Sequence, residues 1–159
     1  IKIVMDLFYE NNNLVTSKPF VKWPGGKTRM IKYLNPYFKK INWNKTRYIE
    51  PFIGGGAVFF NYHFPNRTII NDYNNELINT YKVIQNKKKF DSLLALLDNK
   101  YDNKIGDKDF YLKVRAKEYN QDIVKSAARF IFLNKTCFNG LYRVNSKGKF
   151  NVPMGKFKS

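Results

Sequence analysis

The sequence has a single cysteine, Cys137, and a single histidine, His63. One cysteine cannot form an intrachain disulfide, and no C-x-x-C or H-E-x-x-H spacing is present to hold a metal ion. The N-terminal residues lack the apolar core and small-residue cleavage site of a signal peptide. No apolar run approaches the roughly 20 residues that a membrane span needs. These features predict a cytoplasmic protein without a metal and without a membrane partner.

Acidic residues are also scarce: 12 Asp and Glu stand against 29 Lys and Arg, a formal charge of +17. Residues 123–159 contain no acid at all, and their basic residues are Lys125, Arg129, Lys135, Arg143, Lys147, Lys149, Lys156 and Lys158. Drift of the composition toward lysine and asparagine is the alternative explanation, but drift would not clear acids from one end. The distribution favours a basic surface for a polyanion such as nucleic acid.

Three consecutive glycines, Gly54, Gly55 and Gly56, interrupt an apolar stretch at residues 48–60, YIEPFIGGGAVFF. The pattern predicts a buried strand, a tight turn and a helix that resumes at Ala57. Glycine admits positive φ and has no side chain, so such a turn lets backbone N–H groups approach a ligand. An ordinary turn between strand and helix is the alternative. The dinucleotide fingerprint G-x-G-x-x-G fails, because Phe59 occupies its last glycine position.

A second glycine turn lies at residues 18–27, KPFVKWPGGK, and ends on Lys27 just before a helical pattern. A lysine at a helix N-terminus strengthens an anion site. The P-loop motif nevertheless fails, since Val21 stands where its first glycine is required. Trp23 is either a core residue or a face on which a planar ligand stacks.

A second strand is predicted at residues 68–73, TIINDY, with Asp72 at its carboxyl end, 16 positions after Gly56. Ligands of open α/β sheets bind outside the carboxyl ends of strands, where an acid about 20 residues after the glycine turn takes ribose hydroxyls. The alternative is that Asp72 caps the following helix, a role for which Asn74 and Asn75 compete.

Helices are predicted at residues 76–85, 90–98, 109–120 and 123–134, with the lysines at 87–89 as a solvated run. Residues 141–145 and 149–152 then flank a glycine-containing loop and predict a β-hairpin. Aromatic and basic residues interleave there: Phe138, Tyr142, Arg143, Lys147, Lys149, Phe150, Lys156 and Phe157. Lysines suit phosphates, and an arginine can contact guanine through two hydrogen bonds, so this surface suits DNA. A surface hairpin with a small aromatic cluster is the alternative.

Four segments in order, FVKWPGGK, YIEPFIGGGAVFF, INDYNNELI and FNGLYRVNSKGKFNVPMGKFK, resemble those of the Dam-type (D12 class) DNA adenine-N6 methyltransferases. The resemblance covers residues 18–158. It implies S-adenosylmethionine as methyl donor, double-stranded DNA, most often GATC, as substrate, and a prokaryotic or phage source. The implied fold is α/β: a Rossmann-like methyltransferase fold, incomplete in this chain, with a helical and β-hairpin target-recognition insertion.

The resemblance also assigns residues. Trp23, Lys27 and Phe52, with Gly54, Gly55 and Gly56, match positions at the family's cofactor site, and Asp72 matches the acid that holds the cofactor ribose. Arg143 matches an arginine that reads guanine. Phe138 and Asn139 match the intercalating turn beside the extruded adenine, and Lys22 is expected to reach DNA. Lys147, Lys149 and Lys156 stay assigned to phosphates by charge alone.

The chain departs from the family in two places. Lys156 and Phe157 replace an arginine and tyrosine of the closing segment, and no D-P-P-Y/F tetrapeptide occurs anywhere. That motif supplies the acceptors for the target amine, so we expect the chain alone to be inactive. Its absence and the non-Met start predict a fragment, an interrupted gene, or half of a split enzyme whose partner chain carries the motif. A non-catalytic DNA-binding module is the alternative.

The predicted organisation has three parts: an N-terminal leader at residues 1–17, a cofactor-binding part at 18–85 and a target-recognition region at 86–159.

Overall fold

The computed structural model describes residues 18–62, 64, 68–118 and 121–157. The predicted leader, residues 1–17, lies outside this range, as does His63. The described chain divides into two compact units. The sheet unit comprises residues 18–20 and 25–73, and the helical unit comprises residues 21–24 and 74–157.

The sheet unit is built around two short parallel strands, β1 (Ile49–Glu50) and β2 (Ile69–Ile70). Ile49 pairs with Ile69 and Glu50 with Ile70. The hydrogen bonds continue past β1, since the Ile53 N–H donates to the Asn71 carbonyl at 2.9 Å. Both predicted strands are therefore present at these positions and run parallel, although each is shorter than its apolar run.

A helical segment precedes the strands: a 3₁₀ turn at Lys27–Met30 leads into helix α1 (Ile31–Phe38). The helix predicted from Ala57 is wrong, because a single 3₁₀ turn, Phe59–Asn61, is the helical element of residues 57–62, all of which the structure describes. The chain becomes extended at Tyr62, whose hydroxyl donates to Asn35 Oδ1 at 2.5 Å.

Aromatic rings fill the space beside α1. The rings of Tyr48 and Phe64 stack with centroids 3.8 Å apart and an interplanar angle of 4°. Phe38 contacts the rings of Trp43, Tyr48 and Tyr62. Such ring pairs contribute roughly 0.5–1.5 kcal/mol each beyond the area that they bury. This aromatic cluster, Phe38, Trp43, Tyr48, Tyr62 and Phe64, fixes the inner side of α1.

The helical unit contains α2 (Asn75–Gln85), α3 (Lys87–Leu96), α4 (Lys108–Ala116) and α5 (Ile123–Thr136). A π-helical turn at Leu97–Tyr101 and a 3₁₀ turn at Asp102–Lys104 join α3 to α4. Helix α3 begins three residues earlier than predicted, because the Asn86 side chain caps it by accepting from the Lys89 N–H. The lysines at 87–89 thus form the exposed first turn of a helix.

Helix α5 is central to this unit, and it packs against α2, α3 and α4. Ala127, Ala128, Phe130, Ile131 and Leu133 of α5 are all buried. The small alanines admit neighbouring helices closely, while the large side chains fill the space between them. No helix in the described part of the chain is long and apolar enough to span a bilayer.

The predicted hairpin is present after α5. Val144 and Phe150 form an antiparallel bridge, and the Asn145 N–H donates to the Lys149 carbonyl at 2.9 Å. Gly148 has φ of 73°, as the turn requires. A second bridge, between Cys137 and Met154, anchors the base of the hairpin to the end of α5.

Candidate cofactor and nucleic-acid sites

The glycine turn follows β1 directly and has the special backbone that its sequence predicts. Gly54 and Gly56 have φ of 53° and 78°, and all three glycines are buried. The Gly56 N–H donates to the Ile53 carbonyl at 2.9 Å, which closes the turn. The positive φ at Gly54 and Gly56 explains why these two positions favour glycine.

Asp72 lies just after β2, and its Oδ2 accepts a hydrogen bond from the Gly54 N–H at 2.9 Å. The carboxyl ends of parallel neighbouring strands meet at one edge of a sheet, so the acid reaches the turn. The helix cap is a different residue: Asn74 Oδ1 accepts from the Leu77 N–H at 2.9 Å. The two sequence features therefore lie in contact, and capping does not account for Asp72.

Lys27 is tied to the end of β1 in the same unit. Its Nζ donates to the Phe52 carbonyl at 2.6 Å and lies 3.2 Å from Glu50 Oε1. Glu50 is buried, and its Oε2 accepts from the Tyr48 hydroxyl at 2.8 Å. Burial and this carboxylate raise the pKa of Tyr48 well above its usual value. Sequence reasoning missed Glu50. An acidic residue within a predicted apolar strand could have pointed to it, because a buried charge needs a partner.

Trp23 belongs to the helical unit, whereas the other predicted cofactor residues belong to the sheet unit. Its ring packs on Tyr142, with centroids 5.6 Å apart, and on Phe130 at 6.1 Å. Trp23 is half-buried in this contact. The packing role is therefore observed, while the stacking of a ligand stays a prediction.

The basic side chains of the hairpin differ in their surroundings. Arg143 is exposed, and its Nε donates to Asn151 Oδ1 at 2.8 Å. Lys149 lies 3.7 Å from Glu118, and Lys147 and Lys156 are exposed. Phe150 is buried and Tyr142 half-buried, so these two rings face the protein. Tyr142 packs on Trp23 and Phe150 packs on Tyr142, so these two rings form the small aromatic cluster that was the alternative to a DNA-binding role for them.

Arg129 is buried, although the sequence analysis counted it among the basic residues of a surface for phosphates. Its side chain is only 6% exposed, and Nε and Nη2 donate to the carbonyls of Val114 and Arg115 in the last turn of α4. Nη1 lies 3.0 Å from Glu76 Oε1. A cation there satisfies helix carbonyls that lack partners within the helix. Arg129 is thus a structural residue.

Glu76 completes this network, because its Oε2 accepts from the Tyr142 hydroxyl at 2.8 Å. Burial and the carboxylate raise the pKa of Tyr142 to about 12. Glu76 therefore joins the start of α2 both to α5 and to the hairpin residue beside Arg143.

The turn Phe138–Gly140 follows α5 and exposes the ring of Phe138. Asn139 has φ of 53°, a left-handed conformation that asparagine tolerates. The buried Asn134 side chain accepts from the Lys22 N–H at 2.9 Å, and donates to the carbonyls of Lys22 and Gly140. One amide thus aligns Lys22 with the predicted intercalating turn. Sequence reasoning missed Asn134. A polar residue at the end of a predicted apolar helix could have pointed to it, because buried polar groups need hydrogen-bond partners.

Among the residues that the structure describes, no cluster of three or more His, Cys, Asp or Glu side chains could hold a metal ion.

Comparison with known proteins identifies relatives along most of the chain. The profile of a family described as D12 class N6 adenine-specific DNA methyltransferase matches residues 23–159. Type II methyltransferase M.MjaIII of Methanocaldococcus jannaschii is 45% identical over 158 residues, covering 89% of this chain and 53% of the relative. Type II methyltransferase M1.LlaDCHI of Lactococcus lactis subsp. cremoris is 42% identical, covering 92% and 51%. The chain thus spans about half the length of these relatives.

Proposed function

The chain belongs to the D12 class N6 adenine-specific DNA methyltransferases, and from this membership we propose that it binds S-adenosylmethionine and duplex DNA for adenine-N6 methylation. The observation that carries the proposal is the hydrogen bond between Asp72 and Gly54. It unites the acid and the glycine turn, the two features from which an adenosyl pocket would be built.

The cofactor part of the proposal follows from the chemistry of that edge. A carboxylate accepts from several donors at once, so Asp72 supports the turn and also accepts from the vicinal ribose hydroxyls. The glycines leave room for the adenosyl group, and the exposed Phe52 offers it an apolar face. Lys27 holds the intervening backbone in place. Trp23 is assigned to the cofactor by its match to the family alone.

The fold part of the proposal is that β1 and β2 belong to a larger Rossmann-like sheet. Ile49 and Ile69, which are register partners, are 54% and 47% exposed. Parallel sheets are normally covered on both faces, so we expect a further layer of helices to cover this exposed pair of isoleucines. Residues 18–85 are the cofactor-binding part, and residues 86–159 form the target-recognition insertion.

DNA recognition is assigned to the hairpin and the turn at its base. Arg143 would read a guanine, Lys147, Lys149 and Lys156 would contact phosphates, and the Phe138–Asn139 turn would enter the base stack beside the extruded adenine. Lys22 would contact DNA beside that turn. The first candidate target is GATC, the sequence most common in the family.

Methyl transfer requires hydrogen-bond acceptors that hold the amino group of the adenine and stabilise the charge that develops on its nitrogen as it attacks the methyl group. The D-P-P-Y/F tetrapeptide that supplies them in the family does not occur in these 159 residues. We therefore propose that the chain binds cofactor and DNA without itself transferring the methyl group, and that a partner chain could supply the motif. Incubation with labelled S-adenosylmethionine and GATC duplex should give no product, and turnover above background would contradict this.

Two hairpin variants test the DNA assignment. Arg143→Ala should remove about 1–3 kcal/mol of discrimination between GATC and scrambled duplexes, because a guanine contact distinguishes bases. Lys147→Ala should weaken both duplexes alike, since phosphates carry no sequence. Fluorescence anisotropy measures the affinities of the wild type and of both variants for both duplexes. Equal losses on both duplexes for Arg143→Ala would exclude Arg143 from base recognition.

A further inference from the structure

Helix α1 and the turn before it present apolar side chains to solvent. Met30, Tyr33 and Tyr37 are 50%, 60% and 70% exposed. Their spacing of three and four residues places them in one stripe along the helix. The opposite side of α1 is held through Phe38, which packs into the aromatic cluster, and through the Ile31 carbonyl, which accepts from Tyr62. The stripe is therefore not needed for the packing of α1.

Exposed lysines accompany this stripe within α1 and directly after it. Lys32, Lys39 and Lys40 are exposed, and Lys32 Nζ lies 4.7 Å from the centroid of the Tyr33 ring. Residues 18–49 contain no Asp or Glu. Within the described part of the chain, none of these three lysines forms an ion pair. Lys149, by contrast, lies 3.7 Å from Glu118.

We infer that this surface, the α1 outer face (Met30, Lys32, Tyr33, Tyr37, Lys39 and Lys40), is a second DNA contact that binds the phosphate backbone of a duplex. Tyrosine hydroxyls donate to phosphate oxygens, and lysines displace condensed counterions. The methionine and the ring faces suit the apolar edges of the sugars. The inference rests on the proposed function in one respect, that the polyanion is DNA.

The charge argues against a protein partner on this face. The centres of protein interfaces are depleted of lysine because its desolvation is costly. Here three exposed lysines lie on or directly after α1, and they form no ion pair with any acid among the described residues. A strongly hydrated phosphate backbone accepts such a mixture, since binding releases counterions and leaves the ammonium groups partly in water.

The test compares two triple variants of the full chain. Lys32→Gln/Lys39→Gln/Lys40→Gln removes three charges from the α1 outer face. Lys82→Gln/Lys88→Gln/Lys89→Gln removes the same charge from exposed positions on α2 and α3. The Kd for a scrambled duplex is measured over a series of salt concentrations. The first variant should flatten the slope of log K against log salt by about 2–3, at roughly 0.9 per lost phosphate contact. Equal slopes for the two variants would overturn the inference.

A second variant, Tyr33→Ala/Tyr37→Ala, keeps the charge and removes the exposed rings. We expect several-fold weaker DNA binding with an unchanged melting temperature and sedimentation coefficient. Unchanged DNA affinity together with altered self-association would instead identify a protein interface and overturn the inference. Both α1 variants should act equally on GATC and scrambled duplexes. A failure of Arg143→Ala to alter discrimination would refute base recognition by the hairpin without affecting this result.

Discussion

Asp72 Oδ2 lies 2.9 Å from the backbone nitrogen of Gly54, so the residue that follows β2 supports the turn that follows β1. The contact gives Asp72 a structural role, which is separable from the binding role that we propose for it. It satisfies a backbone N–H of a buried glycine, which is a structural role, and it would accept from the cofactor ribose, which is a binding role. A hydrogen bond to Gly54 needs only one acceptor atom, whereas two hydroxyls require a full carboxylate.

Variants of Asp72 separate these roles. Asp72→Asn keeps an acceptor for Gly54 and should cost little free energy of unfolding, but it should lose most affinity for S-adenosylmethionine. Asp72→Ala should lose that affinity and also about 1–3 kcal/mol of stability, because the Gly54 N–H is left without its partner. Urea denaturation and calorimetric titration measure the two quantities. Full cofactor affinity in Asp72→Asn would refute the binding role.

The second prediction concerns the buried guanidinium of Arg129. Glu76→Gln removes the negative charge that faces it, and breaking a buried ion pair from one side costs about 3 kcal/mol, the low end of the usual range, since Glu76 is partly exposed. Tyr142→Phe removes one hydrogen bond to the same carboxylate and should cost only about 1 kcal/mol. Urea denaturation ranks the two. A Glu76→Gln variant as stable as Tyr142→Phe would mean that solvent already compensates Arg129.

Two glycines with nearly the same φ form a matched pair. Gly140 has φ of 64° and Gly148 has φ of 73°, so alanine strains the backbone equally, by about 1–2 kcal/mol. A Cβ on Gly140 would lie 2.5 Å from Lys22 Cβ, whereas a Cβ on Gly148 would meet nothing within 4 Å. Gly140→Ala should therefore lower thermal stability by about 1–3 kcal/mol more than Gly148→Ala. Equal melting temperatures for the two variants would contradict the prediction, because they would show that Lys22 moves away from the new Cβ without cost.

The fourth prediction is a pH dependence. Burial raises the pKa of Cys137, whose thiol donates to the Leu141 carbonyl at 3.2 Å. The neutral thiol is thus favoured in the folded state. Its contribution to stability is complete below the unfolded pKa of about 8.5, and it is lost as pH rises through the folded value. Alkylation of the native chain should need a higher pH than alkylation in urea. The free energy of unfolding should fall less steeply above pH 8.5 in Cys137→Ala, and identical slopes would contradict the assignment.

Local patterns in the sequence predicted the parts of the fold that local chemistry determines. Apolar runs and glycines placed β1, β2 and the turn at Gly54, and the loop with Gly148 located the hairpin. What failed depended on distant partners. The sequence around Arg129 does not show that its guanidinium binds a carbonyl of α4 and a carboxylate on α2. Likewise, the residues around Ala57 predicted a helix, but the backbone is already extended at Tyr62.

The bonds of Asn134 to Lys22 join positions 112 residues apart in the chain. Contacts of such long sequence separation slow folding, because the intervening chain loses its freedom before the contact forms. During synthesis Lys22 leaves the ribosome before α5, so its hydrogen bonds to Asn134 cannot form until α5 has emerged. The earliest part of the helical unit to be made is therefore among the last to gain its native partners, and nascent chains stalled before α5 should leave Trp23 open to solvent.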